Sequence, residues 1–86
     1  MKQIIENIKN NREDLISKYW EMKHESCTIT EKQRKAFKNN DYSELEQHES
    51  KFYDLQCKIK NVILAINDLT GALNSLGERT EIFWGD

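Results

Sequence analysis

The stretch LEQHESKFYDLQCKIKNVILAINDLTGALNSL, residues 45–76, decides the fold. Leu45, Phe52, Ile59, Ile66 and Leu73 recur every seven residues, and so do His48, Leu55, Val62, Leu69 and Leu76. The two sets interleave in alternating steps of three and four, which puts one side chain per turn on a single stripe of a long helix. Such a stripe has to be buried, so contact between helices is predicted to organise the chain. His48 is the polar member of the ladder. It is expected near the frayed start of the helix with its ring edge in solvent. A pH-sensitive seam position is the other reading.

Working outward, Asp41 with Glu44 three residues later has N-cap spacing, and Gly77 follows as a left-handed C-cap. The helix is therefore placed from Tyr42 to about Leu76, or about 52 Å. Upstream, Met1, Ile8, Leu15 and Met22 repeat every seven, with Ile4, Ile5, Ile16, Tyr19 and Trp20 widening the stripe. This predicts a first helix over residues 2–26, with Asn11 and Arg12 facing a thin part of the core. Ser26-Cys27-Thr28-Ile29-Thr30 then reads as a break, because β-branched and backbone-competing residues follow one another. Thr30 and Gln33 have capping-box spacing, so a short second helix is expected over 31–39, ended by Asn39-Asn40.

The predicted fold is all-α: an antiparallel hairpin of long helices 2–26 and 42–76 with a short connecting helix 31–39. Residues 1–77 form one helical domain, and 78–86 a tail that folds back or binds a partner. On these lengths Met22 falls near Leu45 and Ile4 near Val62–Ile66. About three turns of the last helix are left unmatched. The flanks there turn apolar (Ile63, Ala65, Ala72), as in a bundle of three or more helices. Exposing the overhang would cost about 1.5–3 kcal/mol for each large side chain. The reading is therefore a homodimer or larger bundle whose interface is Val62, Ile63, Ile66, Leu69, Leu73 and Leu76. Ile82, Phe83 and Trp84 are the candidate docking residues of the tail, expected to fold back onto the overhang.

Composition narrows the function classes. The chain has 86 residues, no proline and a net charge of −2. Cys27 and Cys57 lie far apart in no disulfide or metal pattern. MKQIIENIKNN lacks the apolar run of a signal peptide, and nothing approaches a membrane span. These features predict a reduced, cytoplasmic protein without a membrane association. His24 and Cys27 lack further ligands, so neither a metal nor another cofactor is expected. No nucleophile elbow, phosphate loop or paired carboxylates beside a histidine is present, so catalysis is not expected.

One segment is locally basic. Lys32, Arg34, Lys35 and Lys38 stand against Glu31 alone, with Phe37 among them. They are the candidate contacts for a small anion. Tyr19, Trp20, Tyr42, Phe52 and Tyr53 are expected to pack the closed end of the hairpin. The primary reading is a small non-enzymatic interaction protein (an adaptor, inhibitor or chaperone-like regulator) that binds itself and another protein. The first alternative is an oligomer holding a nucleotide or other small anion between subunits. The second is a nucleic-acid binder, disfavoured by the acidic balance of the whole chain.

Overall fold

A computed structural model describes residues 1–85. Two helices, α1 (Lys2–Lys38) and α2 (Tyr42–Ser75), fold back on each other, and residues 76–85 return along them. The molecule is a rod of 58 × 16 × 14 Å. No helix among the described residues is long and apolar enough to cross a membrane.

The expected break at residues 26–30 and the separate helix 31–39 do not form; α1 is continuous for 37 residues. Propensity is overridden by a buried stripe that the local reading missed. Ile5, Ile8, Arg12, Leu15, Tyr19, Met22, Ser26, Ile29, Gln33 and Ala36 alternate steps of three and four, and each is buried or half-buried. Small or polar members hid the second half of this seam. The hydroxyls that compete with a helix are absorbed by it: Thr28 Oγ1 donates to the His24 carbonyl at 3.3 Å, and Thr30 Oγ1 to that of Ser26 at 3.0 Å.

The turn is short because its caps are complete. Asn40, at φ 57, ends α1 in a Schellman arrangement: the Asp41 N–H donates to the Ala36 carbonyl at 2.9 Å and the Asn40 N–H to that of Phe37 at 3.2 Å. Asp41 then accepts from the Glu44 N–H at 3.1 Å, opening α2. The same device closes α2. Gly77 has φ 89, the Glu78 N–H donates to the Leu73 carbonyl at 3.0 Å, and the Gly77 N–H to that of Asn74 at 3.1 Å.

A longer α1 shifts every pairing. Ser26 meets Gln56 and Arg12 meets Thr70 across the seam. Met22 shares a groove with Leu55 and Lys58 instead of lying near Leu45. The helices are nearly matched in length, at 37 and 34 residues, so no overhang remains. His48 is buried, not frayed, and its Nε2 lies 3.2 Å from Glu44 Oε1.

Candidate functional site

The last ten described residues build the most specific surface of the molecule. Asn67 and Asn74 lie seven apart on α2, about 10.5 Å along the axis. Each grips one tail residue by both of its main-chain groups. Asn74 Oδ1 accepts from the Thr80 N–H at 2.8 Å and its Nδ2 donates to the Thr80 carbonyl at 3.0 Å. Asn67 does the same to Phe83, at 2.8 and 3.0 Å. Three residues at near-extended rise span about 10 Å, so tail and helix stay in step.

α1 supplies the other wall. Arg12 Nε donates to Thr70 Oγ1 at 2.9 Å, and its Nη2 to the Glu81 carbonyl at 3.0 Å. Thr70 passes its own proton to the Ile66 carbonyl at 3.0 Å. Arg12 thus joins α1, α2 and the tail instead of merely facing a thin part of the core, and it borders an open groove of about 200 Å³ with Leu73 and Thr80. The Tyr19 hydroxyl donates to the Gly85 carbonyl. Its ring takes Phe83 edge-on at a centroid distance of 5.0 Å, and Trp20 at 5.0 Å on another side. Gly85 is required here: a Cβ would lie 2.8 Å from Tyr19 Oη and 3.2 Å from Ile63 Cδ1, at a φ of 78° that L side chains rarely adopt.

Ile82, Phe83 and Trp84 do not act as one apolar unit. Phe83 turns in against Tyr19, while Ile82 and Trp84 point out, 54% and 77% exposed. Trp84 borders an open groove of about 340 Å³ with Tyr19, Lys23, Lys60, Ile63 and Leu64. Leu64 is 56% exposed and Trp20 47%. One exposed tryptophan, Trp84, therefore lies in the docked tail itself, and the other, Trp20, packs against Tyr19, which holds the tail.

The six residues expected at a subunit interface are spent largely within the chain. Ile66 and Leu73 are fully buried, and Val62, Ile63, Leu69 and Leu76 are half-buried. The long α1 and the tail cover what the shorter helix would have left bare. Burial of this stripe therefore does not require a second subunit.

Lys32, Arg34, Lys35 and Lys38, the candidate anion contacts, are all exposed along the end of α1, and none lines the grooves of about 200, 310 and 340 Å³. Lys35 and Lys38 occupy the last turn of α1, where the helix macrodipole favours cations. The neighbouring N-terminus of α2 is already capped by Asp41. The aromatics separate. Tyr19 and Trp20 lie mid-rod beside the tail instead of at the bend, while Tyr42 and Tyr53 are exposed. Among the described residues no group of three His, Cys, Asp or Glu side chains could hold a metal.

Sequence reasoning missed Asn67, Asn74 and Gly85. Their signals were present but weak: two asparagines one heptad apart, and a glycine two residues after the tail's phenylalanine. Comparisons with protein families, curated proteins and solved structures find no match to this chain.

Proposed function

We propose that this chain acts by binding another protein through the face that carries its docked tail, and that it is not an enzyme. The observation that carries this reading is the exposure of Leu64 and Trp84 on one open groove, with Trp20, next to Tyr19, and Ile82, in the tail, exposed as well. Exposed tryptophans on a fixed scaffold lose little conformational entropy on binding and dominate interface energetics. An apolar cluster of this kind marks an interaction site. Lys23 and Lys60 line the same groove, so the partner segment it fits is apolar with acidic neighbours.

A random peptide library displayed on phage and selected against the full chain tests this. Selected peptides should pair apolar anchors with Asp or Glu. Their binding should drop at least tenfold on Trp84→Ser/Leu64→Ser and hold on Tyr53→Ser at the bend. Binders insensitive to Trp84→Ser/Leu64→Ser would sink the proposal. Titration with ATP or duplex DNA at low salt should leave tryptophan emission unchanged.

A further inference from the structure

The tail is held as a peptide ligand is held. Six hydrogen bonds reach it from Asn67, Asn74, Arg12 and Tyr19, and all six end on its main chain: the N–H and carbonyl of Thr80, the N–H and carbonyl of Phe83, and the carbonyls of Glu81 and Gly85. The side-chain requirements are two. Phe83 fills the space beside Tyr19, and position 85 has to be glycine. Nothing in these contacts depends on which copy of the chain supplies the segment. The link from Gly77 to Thr80 is short and carries one exposed ion pair, Lys9 to Glu78 at 3.4 Å, worth little in water. Ile82 and Trp84 leave an apolar outer edge on the docked segment.

We infer that the groove formed by Arg12, Tyr19, Asn67 and Asn74 accepts residues 80–85 of a second copy in place of the chain's own, so that two hairpins join by exchanging tails. Exchange of an identical element can keep the contacts made by residues 80–85 and is a low-cost route to a dimer. The exchanged pair grows with concentration at the expense of the closed monomer. The inference rests on the groove beneath the tail and not on its outer edge. It therefore stands or falls separately from the protein-binding reading.

The intramolecular tail competes at an effective concentration on the order of millimolar, which masks exchange in the wild-type chain. Two complementary full-length variants remove that competition. Asn67→Ala/Asn74→Ala spoils the groove and keeps the tail; Phe83→Ser/Gly85→Val spoils the tail and keeps the groove. A tail docked tenfold to a hundredfold over undocked implies a dissociation constant between chains on the order of 10–100 µM. Light scattering should show each variant monomeric alone and a one-to-one pair on mixing. A synthetic peptide of residues 78–85 should compete with that pair, and the same peptide with Phe83→Ala should not. A mixture that stays monomeric at about 1 mM, with both variants helical by circular dichroism, overturns the inference. If a double variant loses helicity, the peptide is titrated onto the milder Phe83→Ser chain, whose own tail no longer fills the space beside Tyr19. Saturable binding there supports exchange, and its absence refutes it.

Discussion

The two halves of the rod bury the same kind of seam in different ways. Toward the open end, three segments meet. Tyr19, Ile66, Thr70 and Leu73, the largest fully buried side chains, all lie there. Toward the bend, only α1 and α2 meet. The seam there thins to Ser26, Ile29, Gln33 and Ala36 against His48, Phe52 and Leu55. An open groove of about 310 Å³ reaches Met22, Ile29 and Leu55. The polar seam residues differ accordingly. Arg12 and Tyr19 each send one donor to the tail, whereas Ser26 Oγ accepts from Gln56 Nε2 at 2.9 Å within the helix pair itself. Two helices bury Ile29 and Leu55 to 7% and 6% exposure, whereas Tyr19, Ile66 and Leu73, where the tail returns along the pair, fall to 1% or less. The most complete burial thus coincides with a segment that has no regular structure of its own.

Deleting a large core side chain should show that contrast most strongly. Ile66→Ala should cost about 3–5 kcal/mol in urea unfolding, near the upper end for a fully buried aliphatic. Leu55→Ala should cost about 2–3 kcal/mol, because solvent already reaches its groove and the cavity is only partly new. Equal losses would mean that the tail adds no wall. Asn67→Ala comes next. Losing both bonds to Phe83 should cost about 1–2 kcal/mol. Hydrogen exchange should show the Phe83 amide unprotected while amides around Ile59 keep their protection. If both regions lose protection together, the halves are one cooperative unit and the distinction fails. The smallest effect belongs to the bend: Asn40→Gly relieves a left-handed residue and should stabilise by about 0.5 kcal/mol, with tail protection unchanged.

Much of this was legible from residues 45–76. The heptad ladder, the Asp41 cap and the glycine at the end of α2 are local signals, and each describes the observed helix. The change in flank character past Ile63 was legible too, as a demand for more than one neighbour. The chain meets that demand with its own long α1 and returning tail. With α1 stopped at Ser26, the stripe at Leu69–Leu76 looked uncovered, and a second subunit filled the gap. Continuing the seam through Ser26, Ile29, Gln33 and Ala36 removes that gap. The error arose because a helix interior was judged by residue preference, while its burial pattern, carried by serine, glutamine and alanine, had little hydrophobic contrast. The basic residues at 32–38 were likewise weighed as ligands, when two of them complete the C-terminal turn of a helix not yet recognised as one.

What the sequence by itself determined is the periodicity: two stripes of heptad spacing, no proline to interrupt them, and Asn39-Asn40-Asp41 to reverse the chain. Those are nearest-neighbour properties of a helix, visible without knowing what it touches. Tertiary structure alone decided the fate of residues 80–85. Their place is set by Asn74 and Asn67 from one helix, 6 and 16 positions away, and by Tyr19 and Arg12 from the other, 66 and 69 positions away. A main-chain hydrogen bond leaves no mark on the residue that receives it, so apart from Phe83 and Gly85 the tail's path was not written in the tail.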